Sequence, residues 1–230
     1  MPQPLTLSGP ELTPAAGGSA RQLVMLLHGY GADGRDLLGL APHWARLLPH
    51  AAFLAPDAPF PCEMGFGYQW FGFEDRDPAS IAASALAAAA ILDGFIDGEL
   101  ERRGLDETRL ALAGFSQGAM MAIHVAPRRP RTLAGVIGYS GALVAPDRLA
   151  SEVRTRPPIL LVHGDADPVV PYRELTAAAA ALRAAGITVQ AETRPGLAHG
   201  IDDACLRLGG RFLTEAFRAS ADQSAQAGVS

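Results

Sequence analysis

The stretch that decides the fold reads Leu110-Ala111-Leu112-Ala113-Gly114-Phe115-Ser116-Gln117-Gly118-Ala119-Met120-Met121. It predicts a short buried strand, a Gly-x-Ser-x-Gly turn, and an apolar helix that Pro127 ends. A serine in so tight a turn has a strained backbone, and glycines at 114 and 118 avoid clashes with the neighbouring strand and helix. The serine hydroxyl should project from the carboxyl end of the strand, beside the free N–H groups of the helix. This arrangement favours acyl transfer.

The pattern Gly114-x-Ser116-x-Gly118 is not decisive alone, because so loose a motif recurs by chance in glycine-rich turns. The rest of the chain shows alternating strand and helix signals. Strands are predicted at 22–27, 51–55, 110–115, 133–139, 159–163 and 189–194, with a weaker edge strand or hairpin at 5–12. Helices are predicted at 37–48, 80–103, 119–125, 147–154 and 172–185, and a last helix ends near Arg218. This order predicts an α/β fold with a mostly parallel central sheet and helices on both faces.

Length and composition limit the architecture and the partners. The chain has 230 residues, a size that one α/β domain can reach. We expect a single domain over residues 1–218 and a disordered tail over 219–230. A net charge of −5 gives nucleic acid no electrostatic footprint, so we expect no such partner. All 19 basic residues are Arg, which excludes a P-loop lysine, a Schiff base and a Ser–Lys dyad.

Cysteine usage and the N-terminus bear on cofactors and location. Cys62 and Cys205 are far apart and have neither the spacing of a disulfide framework nor that of a zinc site. We therefore expect no metal and no other cofactor. The first residues lack the pattern of a signal peptide, and acidic residues interrupt the Ala-rich stretch before it is long enough to span a membrane. We expect a cytoplasmic protein without a membrane span.

Three polar positions follow the carboxyl ends of predicted strands, where active sites of such sheets gather. Ser116 lies in the turn quoted above, an acidic turn with Asp165 and Asp167 follows Val162, and His199 lies in the last strand-to-helix loop. A serine hydroxyl needs a histidine to remove its proton, and a carboxylate must orient that histidine. The order Ser, Asp, His is that of α/β-hydrolases.

The acidic turn offers two candidates for the carboxylate. Asp165 directly follows Gly164, where its side chain suits an Asx turn. Asp167 precedes Pro168, which biases the backbone of Asp167 toward extended conformations, so its side chain can reach the loop of His199. We predict Asp167 as the acid of the triad.

The chain resembles the phospholipase/carboxylesterase family of small α/β-hydrolases. The resemblance covers nearly everything from 22 to 217, and four motifs carry it: Leu27-His28-Gly29-Tyr30-Gly31, Gly114-Phe115-Ser116-Gln117-Gly118, His163-Gly164-Asp165-Ala166-Asp167-Pro168-Val169-Val170-Pro171 and His199-Gly200. The resemblance implies Ser116 as nucleophile, His199 as base and Asp167 as orienting acid. It also implies that the backbone amides of Tyr30 and Gln117 donate to the oxyanion.

An aromatic-rich segment from 56 to 74 contains the candidate substrate pocket. Aromatic side chains are costly to expose, so this segment either caps the core or lines an apolar pocket. We expect Trp70 and Phe71 to line the pocket, together with Val169 beside the acidic turn.

The predicted function is that of a serine carboxylesterase acting on short to medium acyl esters through an acyl-enzyme. The alternative within enzymes is a lysophospholipase or acyl-protein thioesterase acting on longer chains. The alternative outside enzymes is a binding protein that reuses the fold. An intact triad favours the enzyme.

We also predict a homodimer, because the resemblance implies one and the aromatic segment offers a contact surface. Light scattering at tens of micromolar protein should give twice the mass of the chain. The mass of a monomer would refute the prediction.

Overall fold

A seven-stranded sheet lies at the centre of the computed structural model, which describes residues 7–73 and 77–227. The sheet order is β1 (Glu11–Leu12), β3 (Ala51–Leu54), β2 (Gln22–Leu27), β6 (Leu110–Phe115), β7 (Gly135–Tyr139), β8 (Ile159–Gly164) and β9 (Val189–Arg194). A separate hairpin is formed by β4 (Phe60–Pro61) and β5 (Tyr68–Gln69). The helices are α1 (Gly34–Leu38), α2 (Ala41–Ala45), α3 (Pro78–Arg103), α4 (Gln117–Val125), α5 (Leu149–Glu152), α6 (Arg173–Ala184) and α7 (Asp203–Ala227).

The sheet is mostly parallel, as predicted. β2, β3, β6, β7, β8 and β9 pair in parallel, and only the short edge strand β1 is antiparallel to its neighbour. β1 lies inside the region 5–12 that was predicted as an edge strand or hairpin, of which residues 1–6 lie outside the described part. Because the six parallel strands run in one direction, their carboxyl ends and the loops that follow share one edge of the sheet.

Helices cover both faces of the sheet, which confirms the predicted layers. In β2, Leu23 and Met25 face the layer of α3, α4 and α6, while Val24 and Leu26 face the layer of α1, α2 and α7. All four side chains are fully buried. A strand buried on both faces must be apolar at every position, and this is why β2 and β6 appear in the sequence as continuous apolar runs.

Helix α3 is the one described helix that, by length and composition alone, could cross a membrane; an 18-residue stretch within Ala79–Arg103 has a mean hydropathy of 1.8. The core helix of a domain passes the same test. Here Leu92 is buried in the core. The buried Arg129 bonds Asp93 and Asp97 of the same helix at 2.7 and 2.6 Å. The ion pairs of Arg129 tie α3 to the segment that follows α4. The absence of a membrane span stays a prediction.

Two predicted helix boundaries were wrong. The helix predicted at 37–48 is divided into α1 and α2, because Pro42 has no N–H to continue a hydrogen-bonded ladder. The last helix does not end near Arg218 but continues to Ala227, so residues 219–227, predicted as disordered, are helical. This segment contains no Gly or Pro to stop the helix, and Gly228 follows it. Residues 228–230 lie outside the described part.

The close packing of backbone against Gly118 can be tested by substitution. A Cβ on Gly118 would overlap the carbonyl oxygen of Leu27, whereas a Cβ on Gly94, in an exposed turn of α3, would meet no atom within 4 Å. We expect Gly118→Ala to lower the free energy of unfolding by about 1–3 kcal/mol through overpacking. The control Gly94→Ala should raise it by about 0.5–1 kcal/mol. Urea denaturation measures both, and equal effects of the two substitutions would contradict the packing argument.

Candidate active site

The turn between β6 and α4 holds Ser116 in a strained conformation. Its φ of 54° and ψ of −118° lie outside the regions that residues with a Cβ ordinarily occupy. The N–H of Ser116 donates to Tyr139 on β7 at 2.9 Å, which ties the turn to the sheet. A Cβ on Gly114 would overlap the backbone of Gly118, and one on Gly118 would overlap that of Leu27. Glycine is therefore required on both sides of the serine.

Ser116, His199 and Asp167 form one chain of hydrogen bonds. The Oγ of Ser116 lies 3.0 Å from Nε2 of His199, and Nδ1 of His199 lies 2.7 Å from Oδ2 of Asp167. An ionised carboxylate only accepts hydrogen bonds, so Nδ1 carries the proton. Nε2 is then free to accept the hydroxyl proton of Ser116.

Asp167 is a buried carboxylate whose side chain has no exposed surface. Its Oδ1 accepts the N–H groups of Val169 and Val170 at 2.8 and 2.9 Å. Burial alone would raise the pKa of Asp167, but the hydrogen bonds from His199 and from the two amides outweigh it and hold this pKa below its ordinary value. The carboxylate is therefore charged at neutral pH.

Asp165 stands outside this chain of hydrogen bonds. Its Oδ1 accepts the N–H of Gly196 at 2.6 Å and so fastens the acidic turn to the loop that carries His199. The Asx turn expected of Asp165 is instead made by Asp167, which bonds the amides two and three residues ahead while also reaching His199. The sequence argument named the right aspartate for the contact, but the part of it that assigned the turn was wrong.

The loop after β2 brings Gly29, which directly precedes Tyr30, beside the serine. A Cβ on Gly29 would lie 3.4 Å from the Cβ of Ser116. Within the described residues, no hydrogen bond engages the backbone N–H of Tyr30. The N–H of Gln117 is also unpaired inside its helix, since it belongs to the first residue of α4. Both amides can donate to a ligand beside Ser116.

His28 stabilises this loop through hydrogen bonds of both ring nitrogens. Burial lowers the pKa of His28, so the ring is neutral at neutral pH. Its Nδ1 donates to Gly29 at 2.7 Å and its Nε2 accepts the N–H of Ala58 at 2.9 Å. Both ring nitrogens are thus used in support of the turn.

The side chain of Gln117 joins the serine turn to the aromatic segment, a contact that the sequence analysis missed. Its Oε1 accepts the N–H of Trp70 at 2.8 Å, and its Nε2 donates to the carbonyl of Phe71 at 2.6 Å. The indole N–H of Trp70 donates to the backbone carbonyl oxygen of His28 at 3.0 Å. A buried Gln at the start of an apolar helix indicates that its amide has hydrogen-bond partners. The spacing of residues does not show that these partners lie 46 and 47 residues away.

An apolar groove of about 660 Å³ opens beside the serine turn. Its walls come from Phe71 and Phe73, from α3 between 79 and 86, from Met120, and from the loop 143–148. Met120 lies one helical turn beyond the serine, because its N–H donates to the carbonyl of Ser116 at 3.0 Å. Ser116 itself does not line the groove; Met120 connects the two.

The predicted pocket residues have different positions. Phe71 lines the groove. Trp70 does not, because its ring is fully buried and its N–H is used by His28, so this expectation was wrong for the groove described here. Val169 does not line it either: the residue is 64% exposed and lies in the acidic turn, where its backbone N–H donates to Asp167.

Among the residues that the structure describes, no group of three or more His, Cys, Asp or Glu side chains is arranged to hold a metal ion. Cys62 and Cys205 are buried free thiols.

Comparison with known proteins assigns the chain. The model of the phospholipase/carboxylesterase family matches residues 12–215. The chain belongs to this family. Acyl-protein thioesterase 1 of Neurospora crassa is 30% identical over 224 residues, which cover 88% of this chain and 90% of that relative. Esterase YpfH of Escherichia coli K12 is 31% identical over 197 residues, which cover 82% and 80%.

Solved structures agree with this family. The crystal structure of esterase PE8 superposes with a TM-score of 0.87 at 40% identity and covers 92% of this chain and 99% of that one. Arabidopsis thaliana SOBER1 gives a TM-score of 0.76 at 27% identity and covers 86% of this chain and 99% of that one. The predicted family and the α/β-hydrolase fold are thereby confirmed, and the family is one of carboxylic ester hydrolases.

The two aspartates of the acidic turn allow a matched test. In Asp167→Asn, an amide N–H would face the N–H of His199 and favour the wrong tautomer, so we expect kcat to fall by about 10³–10⁴-fold, as in serine proteases. Asp165→Asn removes the same charge but keeps an oxygen for Gly196, so kcat should stay within about threefold of the parent, far from the loss of a triad member. Ester hydrolysis at neutral pH measures both, and comparable losses would refute the distinction.

Proposed function

We propose that the chain is a serine carboxylesterase that hydrolyses short to medium acyl esters through an acyl-enzyme. The observation that carries the proposal is the continuous hydrogen-bond chain from the Oγ of Ser116 through His199 to Asp167, at 3.0 and 2.7 Å. Its geometry is what nucleophilic catalysis by serine requires.

In the first step, His199 takes the hydroxyl proton of Ser116 at Nε2 while Oγ attacks the ester carbonyl. The imidazolium that forms is stabilised by the charged Asp167, which holds Nδ1–H. His199 then gives the proton to the departing alkoxide oxygen, so the alcohol leaves neutral. The acyl group remains bound to Oγ.

The negative charge on the carbonyl oxygen needs donors that are in place before the reaction. The backbone N–H groups of Tyr30 and Gln117 suit this role: Gln117 directly follows Ser116, Tyr30 follows Gly29, which packs against Ser116, and neither N–H is used in the described hydrogen bonds. The first turn of α4 adds the positive end of a helix dipole at the same point. Removal of one such donor typically costs about 10²–10³-fold in kcat.

In the second step, a water molecule takes the place of the alcohol. His199 removes its proton at Nε2 as the oxygen attacks the acyl carbon, and it returns that proton to Oγ of Ser116 as the acid is released. The half-exposed position of Ser116 and the 16% exposure of the His199 side chain support access by water.

The apolar groove supports acyl chains of limited length. Its walls of Phe71, Met120 and the Ala-rich start of α3 are apolar, while Asp147 and Arg148 add polar groups to its lining. Each buried CH₂ of the substrate contributes up to about 0.8 kcal/mol until the apolar part is filled. Longer chains would then meet charge or solvent.

The second candidate is an acyl-protein thioesterase or lysophospholipase that accepts longer chains. The names of relatives favour it, since the Neurospora crassa protein and others of similar identity are called acyl-protein thioesterase 1. A thioester has the same carbonyl chemistry, so the same residues would act on both substrates.

The nucleophile is tested with Ser116→Ala. We expect kcat for an activated ester to fall at least about 10³-fold, because a triad acts as a unit. Ser84→Ala is the control: it also removes a hydroxyl, but one that bonds only carbonyls of its own helix at 3.0 and 3.1 Å. An organophosphonate should label the parent and the control stoichiometrically and leave Ser116→Ala unlabelled. Full activity in Ser116→Ala would refute the proposed mechanism.

Chain-length preference is tested by filling the groove. With a graded series of esters, log(kcat/KM) should rise with acyl length and then level off. Ala82→Phe, in the wall of the groove, should move this break to shorter chains, while Ala87→Phe, on the exposed side of the same helix, should not. A rise that continues to palmitoyl esters, or a marked preference for palmitoyl thioesters, would favour the second candidate.

A further inference from the structure

The loop after β2 carries Tyr30 between two glycines, Gly29 and Gly31. Gly31 has a φ of 77°, a backbone conformation that residues with a side chain rarely adopt. Glycine on both sides gives the peptide group of Tyr30 many alternative orientations in the absence of external contacts. An oxyanion donor must be in place before the reaction, so the contacts that hold this loop bear on catalysis.

The β4–β5 hairpin packs its backbone directly on this loop. The N–H of Gly31 donates to the carbonyl of Tyr68 at 2.9 Å, and the N–H of Tyr68 donates to the carbonyl of Ala32 at 2.8 Å. A Cβ on Gly67 would overlap the carbonyl group of Gly31, so the two backbones are in direct contact. A Cβ on Gly31 would in turn clash with the end of the Met64 side chain. The hairpin therefore fixes the peptide that follows Tyr30.

The side chain of Tyr30 makes a second connection to the hairpin. Its hydroxyl donates to Oε2 of Glu63 at 3.1 Å, and its ring packs edge-on against Phe73 with centroids 5.5 Å apart. Gln69 holds Glu63 in position: its Nε2 donates to Oε1 of Glu63 at 2.9 Å, and its Oε1 accepts the backbone N–H of Glu63 at 2.9 Å. Tyr30 is thus held through its side chain as well as through the backbone next to it.

The chain that leaves the hairpin is fixed to the residue that carries the other donor. Trp70 directly follows β5, and its N–H donates to Oε1 of Gln117 at 2.8 Å. The Nε2 of Gln117 donates to the carbonyl of Phe71 at 2.6 Å. One continuous segment, 60–73, therefore contacts both Tyr30 and Gln117, whose backbone N–H groups are the two candidate donors.

We propose that the β4–β5 hairpin is a positioning element for the oxyanion site, which fixes the N–H of Tyr30 relative to the N–H of Gln117. The inference rests on the proposed function, because it concerns the donors of that reaction. The hairpin acts through the loop after β2 and not on the substrate itself. Its effect therefore belongs to the rate of the chemical step and not to the affinity for the substrate.

Two glycines of the hairpin allow a matched test. Gly65 and Gly67 have φ values of 83° and 65°, so alanine strains the backbone at either position. A Cβ on Gly65 meets no atom within 4 Å, whereas one on Gly67 overlaps Gly31. We expect Gly67→Ala to displace the loop and to lower kcat for an activated ester by about 10–100-fold, the effect of a donor misplaced by about 1 Å. Gly65→Ala should lower the melting temperature but keep kcat within about twofold of the parent.

Two further measurements separate the position of the donor from stability. KM should change by less than about threefold in both variants, because the walls of the acyl groove are not altered. A trifluoromethyl ketone forms an adduct with Oγ of Ser116 while His199 takes the hydroxyl proton, and the adduct carries a negative oxygen where the transition state has one. Its inhibition constant should rise in Gly67→Ala by the factor by which kcat falls, and it should stay parental in Gly65→Ala. Equal kcat in the two variants, or an unchanged inhibition constant in Gly67→Ala, would overturn the proposal.

Tyr30→Phe tests the same positioning without a change of backbone. It keeps the ring against Phe73 and removes only the hydroxyl that bonds Glu63. We expect kcat to fall about 3–10-fold, the effect of one lost hydrogen bond to a charged group, and to fall no further when Tyr30→Phe is added to Glu63→Ala. If Gly67→Ala does not fold, this comparison decides: an unchanged kcat in Tyr30→Phe, or an equal fall in both backgrounds, contradicts the proposal. Full activity in Ser116→Ala would instead overturn the proposed function, so the two failures are distinguishable.

Discussion

The close passage of the β2 chain over Gly118 is the constraint on which the site depends. The carbonyl of Leu27 occupies the space that a Cβ at 118 would need, and the backbone of Gly118 does the same for Gly114. This contact lets β6 turn into α4 within one residue, and it forces Ser116 to a φ of 54°. The strain is balanced by the parallel pairing of β6 on both sides. It places the hydroxyl and the first helical N–H groups at one point.

The sequence predicted those parts of the structure that local chemistry determines. Apolar runs identified β2 and β6 to the residue, because strands buried on both faces favour apolar side chains. The positions of Ser116 and His199 after strand ends were sufficient to bring them together, since parallel strands end at one edge. The predicted helix boundaries were wrong where a single proline divides a helix, as at Pro42, and where the sequence contains no residue that stops a helix, as in the helix that continues to Ala227.

Contacts between distant side chains could not be predicted in the same way. Trp70 was expected at the pocket because aromatic residues in loops commonly line one. Instead, its indole N–H donates to the backbone carbonyl of His28 and its ring is buried in the core. The sequence analysis assigned a role only to the backbone N–H of Gln117, although the side chain of this residue bonds the backbones of Trp70 and Phe71. Such contacts depend on which loops meet at the edge of the sheet, and no spacing in the chain records that.

The acidic turn shows how stability and chemistry are joined in this site. A carboxylate with no exposed surface is costly, and it is retained at Asp167 because N–H groups of the turn and of His199 satisfy both oxygens. Since they hold its pKa below that of the unfolded chain, the unfolded state binds a proton more readily. The contribution of Asp167 to stability is therefore complete above about pH 4, the unfolded value, and is lost as the pH falls through the folded one. The hydrogen bonds that keep Asp167 charged for His199 thus also stabilise the turn. Protonation of Asp167 in acid removes both the charge and this stabilisation.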